Sequence, residues 1–108
     1  MTVVGILKVL KSYSYSDDIY LFGSILKNKN VIYDIDLLIL YESQDELLKK
    51  KNDLNQLSVY YPLDIYYMSL DEEIELDFIN KVGAVQLKDI KIGKFKDIKW
   101  LSKNFYES

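Results

Sequence analysis

Asp34 and Asp36 stand one residue apart at the head of the segment YDIDLLILY, residues 33–41. If that segment is a strand, side chains at i and i+2 point to the same face, so the two carboxylates project side by side. Two like charges held this close beside apolar neighbours repel, and one of them tends to keep its proton unless a counter-charge is supplied. A hard divalent cation chelated by both carboxylates supplies it. Asp64 is a third acid of the same kind. In LDIYYM, residues 63–68, it alternates out of phase with Leu63, Ile65 and Tyr67. If this strand lies beside the first, Asp64 joins the carboxylate face. Three acids from two strands suit two Mg2+ ions about 3.5–4 Å apart, the spacing of two-metal displacement sites, with Mn2+ as a substitute.

Gly23-Ser24 follows the apolar run DIYLF at residues 18–22. A glycine at the exit of a buried strand allows close approach of the backbone to a ligand. A helix starting there, with Ser24 as its N-cap, offers unpaired N–H groups to an anion. The Ser24 hydroxyl adds one hydrogen bond, and Lys27 and Lys29 are near enough in sequence to reach the same anion. Taken singly, each feature has an ordinary structural reading: a D-x-D at a strand edge is a solvated turn, a Gly-Ser caps a helix, and turn lysines face water. Their order and spacing together make the chemical reading.

The rest of the composition narrows the chemistry further. The 108 residues contain no Cys and no His, which excludes disulfides, thiolate nucleophiles, imidazole bases and nearly all transition-metal sites. What remains is carboxylate, hydroxyl, lysine and tyrosine chemistry, suited to Mg2+, Mn2+ or Ca2+. Every basic residue is Lys, so phosphate contacts must use point charges or backbone N–H groups rather than a guanidinium fork. The net charge of −3 argues against an extended nucleic-acid-binding face. The opening MTVVGILKVLKSYSY has no signal-peptide pattern, and no apolar run has the length of a membrane span, so a cytoplasmic protein is expected.

Elements that would position these groups can be read from periodicity. Val3, Ile6, Leu7 and Leu10 predict an amphipathic helix over 2–13. Strands are expected at 18–22, 33–41 and 63–68, the second apolar on both faces through LLIL. A turn falls at 28–30. Residues 44–57 read as a helix with Leu47, Leu48, Leu54 and Leu57 inward and the lysines outward. Residues 71–81 read as another, with Ile74, Phe78 and Ile79 inward and three acids in its first turn. A short edge strand follows Gly83, and the tail bearing Phe95, Trp100, Leu101, Phe105 and Tyr106 packs on the core. The fold class is α/β (α+β), as one domain over 1–108.

The stretch IYLFGSILKNKNVIYDIDLLILYES resembles the signature of the DNA polymerase beta-like nucleotidyltransferase superfamily. More closely, residues 17 to 88 resemble the minimal nucleotidyltransferase (MNT) domains of bacteria and archaea. The resemblance implies a small mixed β-sheet flanked by helices. It implies that Gly23 and Ser24 grip a triphosphate with Lys27 nearby, that Asp34 and Asp36 hold both metals, and that Asp64 helps hold the catalytic metal and activates the attacking hydroxyl. The implied reaction moves a nucleoside monophosphate, AMP from ATP, to a hydroxyl acceptor and releases pyrophosphate. Family members carry a small residue, Arg and Gly soon after Gly-Ser, whereas Ile25-Leu26-Lys27-Asn28 stands here. The resemblance also implies a separate all-helical partner of HEPN type, with this chain as the antitoxin of a toxin–antitoxin pair that adenylylates its partner. The alternative is a non-catalytic protein of the same fold that neutralises the partner by contact.

Overall fold

The computed structural model describes residues 2–27 and 30–100. Helix α1 (Val3–Ser12) begins where the Thr2 hydroxyl accepts the Gly5 N–H at 3.0 Å, and it buries Val3, Ile6, Leu7 and Leu10 on one face. This is the expected 3.6-residue stripe. A tight 3-10 turn at Ser16–Asp18 leads into β1 (Ile19–Phe22). A second such turn at Gly23–Leu26 precedes the two-residue β2 (Val31–Ile32) and the long β3 (Ile35–Tyr41). Helix α2 (Gln44–Ser58) is capped by Ser43, whose hydroxyl accepts the Glu46 N–H at 3.2 Å. Strand β4 (Leu63–Ser69) runs directly into α3 (Leu70–Leu76). Ser69 and Glu72 form a reciprocal capping box there, with bonds of 3.1 and 3.0 Å. Helix α4 (Phe78–Val82), β5 (Val85–Gln86) and β6 (Lys99–Trp100) complete the described residues.

The main sheet has the order β4-β3-β1-β5, with β1 antiparallel to both β3 and β5 and β3 parallel to β4. It is the mixed sheet expected from the sequence. β2 and β6 pair separately, parallel to each other. One face of the main sheet carries Ile19 and Leu21 from β1 and Ile35, Leu37 and Ile39 from β3. All five are buried in one core cluster with α1, Leu54 of α2, Leu87, Ile90 and Phe95. Leu38 and Leu40, which point the other way, are also buried, so β3 is covered on both faces as the LLIL run implies. Phe95 and the half-buried Trp100 pack on the core, as expected of the tail; Leu101, Phe105 and Tyr106 lie outside the described residues.

Three expectations are corrected. The single helix over 71–81 is two helices, broken at Asp77, which takes a left-handed conformation with φ 52°. Asp tolerates that region better than most residues. The Glu73 carboxylate accepts the Ile79 N–H at 3.1 Å across the break, and the change of direction seats Phe78 against Phe22. Ile74 therefore does not point inward but is 79% exposed. In α2, Leu48 is exposed while Lys50 is only 3% exposed, the reverse of the expected division between leucines and lysines.

Lys50 lies inside because its stem spans apolar surface while its ammonium group finds oxygen partners. Nζ donates to the Leu40 carbonyl at 2.8 Å, to Asp18 at 3.0 Å and to Glu46 at 3.4 Å. It thereby ties α2 to the end of β3 and to the turn before β1. Asp18 and Glu46 keep solvent contact, so screening weakens the ionic part, and the bond to the buried carbonyl carries most of the effect. Lys50→Met, which keeps the volume, is expected to lower the unfolding free energy in urea by about 1–3 kcal/mol, the scale of leaving a buried acceptor unpaired. An unchanged midpoint would show that the ammonium contributes nothing.

Candidate active site

The parallel pairing of β3 with β4 sets Asp36 directly opposite Asp64, with Ile35 opposite Leu63 and Leu37 opposite Ile65. Because side chains alternate, this register puts Asp36 and Asp64 on the face opposite the main core. The Ile35 N–H donates to the Pro62 carbonyl at 3.0 Å and fixes where the two strands begin together. Asp34 lies just outside the strand, which starts at Ile35 rather than Tyr33. It still joins the group: one carboxylate oxygen from each of Asp34, Asp36 and Asp64 lies within 4.8 Å of the other two. Asp34 and Asp36 are half-buried and Asp64 is exposed. Three carboxylates converging at that distance fit a divalent cation, since hard oxygen donors at short range are what Mg2+ and Mn2+ require.

The electrostatics agree with that fit. Burial, followed by the charges of Asp34 and Asp64 and a hydrogen bond with Asp64, pushes Asp36 up to about 6, while Lys27 opposes the shift. Asp34 is also raised, by burial first and then by Asp64. Without a cation the folded chain holds protons at this site more tightly than the unfolded chain does. Asp36 then favours the fold most below the ordinary carboxylate value of 3.8, and that contribution is lost as pH rises through about 6. A bound cation reverses the balance by favouring the charged forms.

Gly23 sits against this group. Its φ is +78°, and a Cβ built on it would collide with the Asp36 carboxylate. Glycine is needed there for the turn and for the room that Asp36 occupies. Ser24 is not the N-cap: Phe22 precedes the turn, and Ser24 is its second residue, with its carbonyl accepting the Lys27 N–H at 3.0 Å. Ile25, which follows, is fully buried and packs in the core. Lys27 is exposed, and its charge acts on Asp36. Lys29 lies outside the described residues.

Sequence reasoning missed an aromatic group beside the acids. Phe22 stands opposite Asp36 in the sheet, and its ring lies 5.4 Å from Tyr66 and 5.5 Å from Phe78, edge-on to the latter. The Tyr66 hydroxyl donates to Asp64 Oδ2 at 3.3 Å. The signal was present in the i and i+2 spacing of Asp64 and Tyr66; the contribution of Phe78 depends on the helix break at Asp77.

The family model of the nucleotidyltransferase domain matches residues 3–103, nearly the whole chain. The chain belongs to that family. No curated protein matches it. Membership supports nucleotidyl transfer as the general activity, with a nucleotide as substrate, and the family usually uses divalent metals. The acidic group of this nucleotidyltransferase domain is where such an ion could be held. No helix among the described residues is long and apolar enough to cross a membrane.

Two outcomes are expected of the metal-free nucleotidyltransferase domain. Carboxyl-resolved NMR should place the Asp36 midpoint near 6, and Asp64→Asn should move it down by removing a like charge; a midpoint near 4 that ignores the substitution would contradict the geometry. Gly23→Ala should cost about 1–3 kcal/mol of stability in denaturant titration, from the left-handed backbone and the displaced carboxylate.

Proposed function

We propose that this chain is a Mg2+-dependent nucleotidyltransferase that moves AMP from ATP to a hydroxyl acceptor on an all-helical HEPN-type protein, acting as the antitoxin of that pair. The observation that carries the reading is the convergence of Asp34, Asp36 and Asp64 within 4.8 Å on the sheet face opposite the core. ATP as donor and the HEPN partner follow from the resemblance of the Gly23-Ser24 and Asp34-Ile35-Asp36 motifs to the MNT domains.

Asp34 and Asp36 would hold two ions in common, and Asp64 would share the catalytic one. When bound, such ions supply charge neutralisation at the phosphates, which is most of what phosphoryl-group chemistry asks of a protein. The chain's own residues do the positioning. Gly23 brings the backbone up to the carboxylates without a side chain in the way. Ser24 and Lys27 lie on the same turn, where a hydroxyl and an ammonium group can meet a triphosphate. Asp64, exposed at the edge of the group, takes the acceptor's proton. The hydroxyl oxygen attacks the α-phosphorus, and pyrophosphate leaves.

A second reading, neutralisation of the partner by contact alone, is favoured by the apolar residues that α3 leaves in water, Ile74 and Leu76. Incubation with α-labelled ATP, Mg2+ and the neighbouring gene's product separates the two. Label is expected on the partner. Asp36→Ala or removal of the metal with EDTA should slow transfer at least about a hundredfold, the scale of losing one group that stabilises transition-state charge. Label that never transfers, together with full protection of cells by the Asp34→Ala, Asp36→Ala double variant, would support the contact reading instead.

A further inference from the structure

Tyr66 stands two residues beyond Asp64 on the same face of β4, and its hydroxyl donates to Asp64 Oδ2 at 3.3 Å. The ring is held from two sides. Phe22 lies 5.4 Å away centroid to centroid and Phe78 lies 6.4 Å away, while Phe22 and Phe78 pack edge-on with each other. Aromatic pairs at these separations favour defined orientations. The hydroxyl is thus kept at the carboxylate assigned above to take the acceptor's proton. The residue is nevertheless 46% exposed, so a bound nucleotide has access to it.

An acceptor hydroxyl in nucleotidyl transfer has to lie within hydrogen-bond reach of the group that takes its proton. Tyr66 meets that condition from within the chain. We infer that Tyr66 is a self-nucleotidylation site, its hydroxyl taking a nucleoside monophosphate from a bound nucleoside triphosphate when no external acceptor is present. The inference rests on the nucleotidyltransferase reading above. In the step, Tyr66 Oη forms a bond to the α-phosphorus and its proton passes to the Asp64 carboxylate. The bond from the α-phosphorus to the oxygen bridging to the β-phosphate breaks, and pyrophosphate leaves with that bonding pair. The product is a phosphodiester on Tyr66 that stands over the acids, so the reaction stops at one addition per chain.

The test uses the full chain alone, incubated with each of ATP, GTP, CTP and UTP in the presence of Mg2+ or Mn2+. Intact mass is expected to rise by one nucleoside monophosphate with at least one of the four, with fragmentation placing it on Tyr66. Tyr66→Phe, which keeps the ring contacts, should gain no mass. In the metal-free protein the same substitution should also shift the Asp64 carboxyl carbon resonance, because the hydrogen bond is gone. An unshifted resonance, or an adduct on another residue, overturns the assignment. So does a chain that binds a non-hydrolysable triphosphate with Mn2+ yet gains no mass from any of the four natural triphosphates, and in that case the nucleotidyltransferase reading stands. If the chain binds no triphosphate at all, both fall together.

Discussion

β3 and β4 run parallel with Asp36 across from Asp64, and that register decides what the open face of the sheet can do. A slip of one residue would send Asp64 toward the core and bring Leu63 or Ile65 out in its place. The register is held by apolar alternation on the core side and by the bond from the Ile35 N–H to the Pro62 carbonyl. The cost is a crowded set of negative charges. It is carried by the packing beneath, where Ile35, Leu37 and Ile39 are fully buried.

The two ends of β3 are therefore handled in opposite ways. Near its start, three carboxylates share a small space and one of them is pushed up to about 6. At its end, a single buried lysine is surrounded by oxygen partners and links three elements. The first arrangement is poorly satisfied by the chain itself and has unused capacity for a cation. The second is complete within the protein. That contrast separates a group of charges suited to binding from one that serves the fold.

Most of this was legible in the sequence where a strong period ran uninterrupted. The stripe of Val3, Ile6, Leu7 and Leu10, the apolar run through β3 and the alternation of LDIYYM each had one reading, and the structure agrees with it. The three acids were legible for the same reason, because alternation fixes a face. The failures came where a local event interrupts a period. The left-handed Asp77 splits a helix that composition alone makes continuous, and this turns Ile74 out, whereas Phe78 points inward as its spacing implies. Ser24 looked like a cap because Ser commonly is one, but the tight turn begins a residue earlier. Lys50 was assigned to water by its charge, and only the positions of Asp18, Glu46 and the Leu40 carbonyl bring it inside.

Gly23 and Asp36 lie in what read as separate motifs, one at a turn and one in a strand. The structure makes them a single packing unit, because the carboxylate fills the volume that a side chain at position 23 would need. Sequence drift at these two positions is consequently not independent. A chain that keeps an acid at position 36 in this rotamer is confined to glycine at position 23. One that has lost the acid is free to accept alanine or serine there, apart from what the turn itself demands. Loss of the glycine in a related chain would thus report, from sequence alone, that the carboxylate has moved or gone.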